Sequence, residues 1–305
     1  MNFADLLHES STRNNSFLIA GFDPRIEKIP SVFKSEASNK SKTNEDLLYH
    51  TLVDFHLHAL ETIGSQVAAI KPNIAFFEQH GLAGLRAFSS ILSAIREYEL
   101  PVVIDAKRGD IGSTADAYAK AYLGANAPFP ADALTVNPFL GFDTIESFLK
   151  ACEECGKGIF VLVKTSNPGS GDLQNQHIGD GCTISERIAD WLSEHSSRLQ
   201  GSCGYSGLGA VIGATYPHEA KAMRERMPNN FFLIPGLGSQ GGSADDAIAG
   251  FGEQNGAKGG AIINVSRGLL SSFSDLALSK SEVSSEIAEK LSGFQDAVHQ
   301  ALLKS

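Results

Sequence analysis

The chain has 305 residues, of which 42% are hydrophobic, and its formal net charge is −10 at pH 7. That acidic balance argues against a nucleic-acid partner or an anionic membrane surface, because both bind basic faces. Four cysteines are too few for a disulfide scaffold, and neither a signal peptide nor an apolar membrane span is evident. We therefore expect a cytoplasmic enzyme or binding protein with one barrel-sized domain over residues 1–305.

Short β-rich apolar runs recur along the chain, and each is followed by a segment that can form a helix. The runs are Phe17–Asp23, Val67–Lys71, Val102–Asp105, Ala133–Asn137, Ile159–Lys164, Ala210–Gly213, Phe231–Ile234 and Ala261–Val265. Their continuous apolarity fits strands of a parallel sheet that is buried on both faces. Eight such units predict an α/β fold, a (β/α)8 TIM barrel, with a doubly wound open sheet as the alternative.

Two polar stretches predict surface insertions in this barrel. The first lies near residues 28–46, and its most polar part, residues 35–46, has the composition of a surface loop. The second, residues 167–182, is long and rich in glycine, and we expect it to close over a bound ligand. Directly after the second insertion, Thr183 and Glu186 have the spacing of a capping box, which predicts that a helix begins at this point.

Polar residues follow the predicted strands at their carboxyl ends. They are Asp23, Lys71, Asp105, Lys107, Asn137, Lys164, Ser166, Thr215, Gln240 and Arg267. The loops that follow the strands of a TIM barrel build its active site. So many polar side chains at one end of the barrel predict a site at that end.

The segment Asp105–Thr114 reads DAKRGDIGST and places opposite charges where a buried strand ends. Residues two apart in a strand face the same side, so Asp105 and Lys107 are expected to point together. Asp110 adds a second carboxylate to the same segment. Buried charges are costly unless they are paired or used, so this cluster predicts either a structural ion pair or a catalytic network.

The loops after the last two strands have the composition of a phosphate site. They read PGLGSQGG over residues 235–242 and NVSRG over residues 264–268. Glycines such as Gly238 let backbone N–H groups approach an anion, while Gln240 and Arg267 supply an amide and a guanidinium. The same loop contains a GxGxxG pattern, but it lies far from a first βαβ unit, so a dinucleotide-dependent oxidoreductase is only weakly indicated.

Together these segments resemble the orotidine 5′-phosphate decarboxylase family, in the branch with the DAKRGDIGST motif. The matching segments are Gly21–Pro24, Lys71–Asn73, Asp105–Thr114, Thr135–Pro138, Lys164–Pro168, Gly213–Thr215, Pro235–Gln240 and Ser266–Gly268. They cover residues 17–270 in matching order. The resemblance implies decarboxylation of orotidine 5′-monophosphate to UMP in de novo pyrimidine biosynthesis, without a cofactor or a metal.

The resemblance also implies roles for the charged residues. Lys107 would be the general acid that protonates C6, and Asp105 would lie beside the carboxylate of the substrate. Lys71 would hold Asp105 and the ribose hydroxyls, and Asp23 would bind the ribose. Asp110 would complete the charge array from the neighbouring subunit of a homodimer.

Further residues would bind the rest of the substrate. Ser166 would contact the pyrimidine, and Asn137 is a further substrate-binding candidate at a strand end. The resemblance assigns the phosphate to Gln240 and Arg267, beside the backbone of Gly238.

Two more contacts are implied between the subunits. Ile111 and Thr114 would cross the dimer interface and reach the substrate of the neighbouring subunit. The implied assembly is therefore a homodimer with shared active sites.

Three other functions remain open from the residues. Related Mg²⁺-dependent sugar-phosphate enzymes share DxKxxD but place a carboxylate after the second strand, where this chain has Lys71. A non-catalytic nucleotide-binding barrel would gain nothing from costly buried charges at Asp105 and Lys107. Lys164 stands at a strand end as a Schiff-base lysine of an aldolase does.

Cys152 and Cys155 have CxxC spacing without a second pair, so no zinc site is expected.

Overall fold

The computed structural model describes residues 2–179, 181–237, 242–254 and 256–304. The strands are β1 Leu18–Phe22, β2 Ala69–Pro72, β3 Val103–Arg108, β4 Ala133–Val136, β5 Gly158–Lys164, β6 Ser206–Ile212, β7 Asn230–Ile234, β8 Gly252–Gln254, β9 Ala257–Gly259 and β10 Ala261–Val265. Strands β8 and β9 form a small antiparallel hairpin, and the others form the main sheet. All eight predicted strands are therefore present.

The main sheet is parallel and nearly closed. Its strand order is β2-β1-β10-β7-β6-β5-β4-β3. The two outer strands meet where the N–H of Ile70 donates to the carbonyl of Pro101 at 3.0 Å and the N–H of Ile74 donates to the carbonyl of Asp105 at 3.3 Å. The predicted TIM barrel is confirmed, and the open doubly wound sheet is wrong.

One helix precedes the first barrel strand, and the others follow the strands. They are α1 Phe3–Arg13, α2 Ser31–Lys40, α3 Asn44–Ile63, α4 Ala75–Glu78, α5 Gly81–Glu97, α6 Gly112–Tyr122, α7 Asp143–Cys155, α8 Gly171–Gln174, α9 Ile184–Glu194, α10 Pro217–Arg226, α11 Ala244–Ile248, α12 Arg267–Leu270 and α13 Lys280–Lys304. The predicted capping box of Thr183 and Glu186 begins α9. No helix among these described residues is long and apolar enough to cross a membrane.

Apolar side chains fill the inside of the barrel at its amino-terminal end. Alternate strand residues point inward, and α1 covers them from below. Phe3 of α1 packs edge-on against Phe160 of β5, with ring centroids 5.8 Å apart. A Cβ at Gly158 would lie only 2.2 Å from the Phe3 ring, so glycine at the start of β5 makes room for this plug. Because the amino-terminal end is filled, the barrel can open only at its carboxyl end.

The expectation of a surface loop over residues 35–46 is wrong. Most of this segment belongs to α2 and to the first turn of α3. Phe33 and Ala37 of α2 are fully buried, and the Phe33 ring packs edge-on against Phe55 of α3 at 5.4 Å. Two buried side chains in a polar sequence are enough to fix a short helix against its neighbour, and the composition of the segment hides them.

Candidate active site

A cavity of about 490 Å³ opens at the carboxyl end of the barrel. Six of the predicted site residues line it: Asp23, Lys71, Asp105, Lys107, Ser166 and Arg267. They come from five of the eight barrel strands or the loops that follow them. The parallel arrangement brings these distant segments together, because all the strands end at the same rim.

A chain of three charges forms one side of the cavity. The Nζ of Lys71 lies 3.1 Å from Oδ2 of Asp105, and the Nζ of Lys107 lies 2.5 Å from Oδ1 of the same carboxylate. The Lys71 side chain is buried, whereas about half of the Lys107 side chain is exposed. Asp105 therefore binds one buried cation, Lys71, and one solvent-accessible cation, Lys107.

Asp105 and Lys71, the two buried residues of this row of charges, are both held in their charged forms. Burial alone would raise the pKa of Asp105, but Lys71 and Lys107 outweigh it and hold that pKa well below its usual range. Burial would likewise lower the pKa of Lys71, but the charges of Asp105 and Asp23 outweigh it and raise that pKa. The site therefore presents fixed charges of both signs at neutral pH.

Thr135 of β4 completes this cluster, and sequence reasoning missed it. Its hydroxyl donates to Oδ1 of Asp105 at 3.1 Å and accepts from the backbone N–H groups of Ala106 and Lys107 at 3.0 and 2.9 Å. Thr135 was part of a matching segment, but a threonine inside a strand is first interpreted as a β-former. Its inward position, two residues before Asn137, is the signal that could have identified it.

The floor of the cavity has two chemically different halves. Lys71, Asp105 and Thr135 form the polar half, on β2, β3 and β4. The apolar half consists of Leu162, Val211 and Leu233, on β5, β6 and β7. Such a floor can bind a flat, largely apolar ring on one side while it holds charged groups on the other.

Among the residues that the structure describes, two buried acceptors in the cavity have no hydrogen-bond partner: Oδ1 of Asp23 and Oδ1 of Asn264. A buried acceptor without a donor is costly, so both oxygens are suited to hydroxyl or N–H donors of a ligand. Asn264 was not among the predicted residues. A Cβ at Gly21 would lie 1.8 Å from Oγ of Ser266 and 3.2 Å from Oδ1 of Asn264, so glycine leaves them space.

The predicted phosphate-binding residues are described only in part. Arg267 lines the cavity at the start of α12, next to Pro235 and Gly236 of the loop after β7. Gly238 and Gln240 lie outside the described residues, so their phosphate contacts stay predictions. The described part of the two loops nevertheless includes Arg267 in the lining of the cavity, directly after β10.

Four predicted site residues do not line this cavity. Oδ1 of Asp110 accepts from the N–H of Ile111 at 2.8 Å, and the side chains of Ile111 and Thr114 are exposed. Asn137 lines a neighbouring cavity of about 430 Å³, where its Oδ1 accepts from the N–H of Phe139 at 3.0 Å. Within one chain, therefore, the structure does not bring these residues to the charge cluster.

The glycine-rich segment after β5 forms part of the cavity wall through Asn167 and Gln174. Gln174 is fixed to the strand end, because its Oε1 accepts from the N–H of Thr165 at 2.9 Å and its Nε2 donates to Oγ1 of the same residue at 2.8 Å. Closure of residues 167–182 over a ligand stays a prediction, and Asp180 lies outside the described residues.

Lys164 is buried but does not line the cavity. Its Nζ lies 2.5 Å from Oδ1 of Asn175 and 3.3 Å from Oε2 of Glu219. This lysine therefore joins the segment after β5 to α10, and its position does not support a Schiff-base aldolase. Across the described ranges, no cluster of three or more His, Cys, Asp or Glu side chains could hold a metal ion.

The chain is similar to known proteins of one family. A model of the family described as "Orotidine 5'-phosphate decarboxylase / HUMPS family" matches residues 42–277. A protein named orotidine 5′-phosphate decarboxylase from Rhodopirellula baltica is 41% identical over 309 residues, which cover 100% of this chain and 97% of that protein. One of the same name from Caldicellulosiruptor bescii is 39% identical over 297 residues, covering 95% of this chain and 96% of that protein. Among solved structures, Leishmania donovani OMP decarboxylase is 34% identical with a TM-score of 0.70, and the match covers 97% of this chain and 100% of that one.

Proposed function

This chain belongs to the orotidine 5′-phosphate decarboxylase family, and we propose that it converts orotidine 5′-monophosphate to UMP in pyrimidine biosynthesis. The observation that carries the proposal is the Lys71–Asp105–Lys107 charge chain in the carboxyl-end cavity of such a barrel. Relatives named orotidine 5′-phosphate decarboxylase match nearly the whole chain. The enzyme is a carboxy-lyase.

The chemistry assigned to this cavity is bond cleavage at C6 followed by protonation. The bond between C6 and the carboxylate breaks, CO₂ leaves, and the electron pair stays on C6. A proton from Nζ of Lys107 then forms the new C6–H bond, and solvent returns a proton to the amine. Because ring delocalisation helps this carbanion little, fixed charges must lower the barrier.

Asp105 and Lys71 support Lys107 in this scheme. The carboxylate of Asp105 accepts from both lysines, so an accessible ammonium is held at the reacting carbon. This ammonium can donate a proton to C6 once the carbanion forms. Asp105 also lies beside the carboxylate of the bound substrate, and their repulsion ends when neutral CO₂ leaves.

The remaining cavity residues bind parts of the substrate that do not react. The unpartnered oxygen of Asp23 accepts from the ribose hydroxyls, and Ser166 contacts the pyrimidine. Arg267, with Gln240 and the backbone near Gly238, binds the phosphate. Binding energy gained at the phosphate and ribose contributes to closure of the site and to transition-state stabilisation.

A second copy of the chain completes the site in this proposal. Asp110, Ile111 and Thr114 lie outside the cavity of their own chain, at the start of α6. The Ile111 side chain is 62% exposed, and Lys107 is open to solvent in the single chain. A homodimer in which these three residues reach the partner's cavity would cover Lys107 and add a second carboxylate beside it.

The alternative with Mg²⁺ is not favoured. The end of β2 carries Lys71, a buried cation that would repel a divalent metal at the place where the metal-dependent relatives hold it. A non-catalytic nucleotide-binding barrel is also not favoured. Its binding would not require a half-exposed lysine held against a buried carboxylate.

The test is an absorbance assay of orotidine 5′-monophosphate with purified protein in EDTA. We expect conversion to UMP without added metal. Activity that is absent in EDTA and restored by Mg²⁺ would favour the sugar-phosphate type of chemistry. Binding of UMP without any turnover would favour the non-catalytic barrel.

A further inference from the structure

The hydroxyl of Thr135 has no hydrogen-bonding capacity left for a substrate. A threonine hydroxyl offers one donor and two acceptor lone pairs. The donor is used on Oδ1 of Asp105, and the lone pairs accept from the N–H groups of Ala106 and Lys107. Although Thr135 lines the cavity, any influence of this hydroxyl on the reaction must pass through Asp105 and Lys107.

The backbone that Thr135 contacts is irregular. The parallel pairing of β3 with β4 shifts register between Ile104 and Arg108. Within this irregular stretch the backbone of Lys107 has a φ of +47°. This value lies in the left-handed region, which residues other than glycine rarely adopt. Such a conformation persists only where the surrounding structure fixes it.

Thr135 supplies that fixing contact from the neighbouring strand. Its oxygen takes the place of a backbone carbonyl for two consecutive N–H groups, just where the regular ladder is interrupted. The residue is fully buried, and its branched β-carbon restricts the rotation that would move the hydroxyl away. The same hydroxyl also orients the carboxylate that binds Nζ of Lys107.

We propose that Thr135 is a positioning residue for the decarboxylation: its hydroxyl holds the left-handed backbone of Lys107 and the carboxylate of Asp105 so that the ammonium lies at C6. The inference rests on the proposed function. A displacement of the ammonium by about 1 Å is enough to slow a proton transfer strongly.

The competing explanation is that Thr135 is only a well-packed β-former. Thr135→Val separates the two, because valine keeps the branched shape and loses the hydroxyl. If Thr135 positions Lys107, kcat falls about 10- to 100-fold in Thr135→Val, as expected when hydrogen bonds to a charged pair are lost. KM for orotidine 5′-monophosphate and the Kd for UMP stay within about twofold of wild type, since the hydroxyl does not touch substrate.

Thr135→Ser provides the rescue, because serine restores the hydroxyl without the methyl group. We expect its kcat to lie within about threefold of wild type. Thr144→Val is the matched control, since Thr144 is also buried and its hydroxyl donates to the carbonyl of Gly141 at the start of α7. Its kcat per UMP-binding site should equal that of wild type.

Rates are normalised to the concentration of UMP-binding sites, so a partly folded variant is not counted as a slow one. If Thr135→Val does not fold, Thr135→Ala replaces it in the same comparison with serine. A wild-type kcat without the hydroxyl, a change confined to KM, or a serine variant as slow as valine would each overturn the inference. Absence of turnover by the wild-type chain would instead refute the proposed function, and the positioning role with it.

Discussion

The two ends of the barrel each bury a cation, and they compensate its charge differently. At the carboxyl end, Lys71 faces the carboxylates of Asp105 and Asp23, which raise its pKa despite burial. At the amino end, Arg224 donates to five backbone carbonyl oxygens and stacks 3.6 Å from the ring centroid of Phe232. Burial lowers the pKa of Arg224 to about 10.

Burying a cation costs free energy at both ends of the barrel, but the two cations have different roles. Each nitrogen of the Arg224 guanidinium donates to at least one carbonyl oxygen, and these bonds tie together the ends of several loops, so its charge is used for structure. The carboxylate that neutralises Lys71 still binds a second, accessible cation, Lys107. Substitutions at the carboxyl end should therefore change activity, and substitutions at the amino end should change stability.

The largest effect is expected for Lys107→Ala. Removal of the general acid should lower kcat by about 10³-fold or more, while the Kd for UMP changes little because the phosphate contacts remain. Lys157→Ala is the control: its Nζ lies 2.8 Å from Oδ1 of Asp132 near the start of β5, far from the cavity. Near-normal turnover of Lys107→Ala in a steady-state assay would refute the general-acid role.

Mixed dimers test whether the carboxyl-end site is shared between two chains. Asp110→Ala and Lys107→Ala chains are each expected to be inactive alone. Co-refolded in equal amounts, they should regain about a quarter of wild-type activity, because half of the dimers are mixed and each mixed dimer has one intact site. No regained activity in a preparation shown to contain mixed dimers would place Asp110 and Lys107 in the same chain's site.

The smallest effect on activity is expected for Arg224→Met at the amino end. Methionine keeps apolar packing but removes the five hydrogen bonds that the guanidinium donates to backbone carbonyl oxygens, so the free energy of unfolding should fall by about 3 kcal/mol. In the same helix, Arg226 forms partly exposed ion pairs with Glu186 and Asp190, so Arg226→Met should cost about 0–1 kcal/mol. Urea denaturation measures both values.

A kcat per folded Arg224→Met molecule that differs from wild type would contradict the separation of the two ends. Equal urea midpoints for the Met variants of Arg224 and Arg226 would contradict it as well. The first result would show that the amino-terminal end contributes to the site. The second would show that its buried cation is dispensable for stability.

Much of the fold could be predicted because local pattern and global topology agree. Continuous apolar runs at regular spacing specify parallel strands, and the polar residue after each run marks the rim of the barrel. The prediction failed at α2, where two buried residues, Phe33 and Ala37, decide the structure of a polar segment. Burial of so few side chains depends on a neighbour, here α3, that composition cannot reveal.

Most of the charged residues that line the cavity were predicted from the sequence, whereas the neutral residues Thr135 and Asn264 were not. Asp105 and Lys107 are conspicuous because charges at the end of a buried strand require a partner or a function. Thr135 and Asn264 are ordinary residues for strands, and only their inward positions show that they belong to the cavity.

Local sequence patterns were enough to specify the eight barrel strands, the end of the barrel at which the cavity opens, and the charged residues Lys71, Asp105 and Lys107 that line it. These follow from periodicity and from the cost of buried charge, which are properties of short segments. Three features depend on the assembled fold: Thr135 accepts a hydrogen bond from Lys107 across strands, Oδ1 of Asn264 is buried without a hydrogen-bond donor among the described residues, and Lys164 lies outside the cavity lining. Cross-strand hydrogen bonds, and whether a side chain lines the cavity, depend on distances between strands that are remote in the sequence. No local sequence pattern specifies those distances.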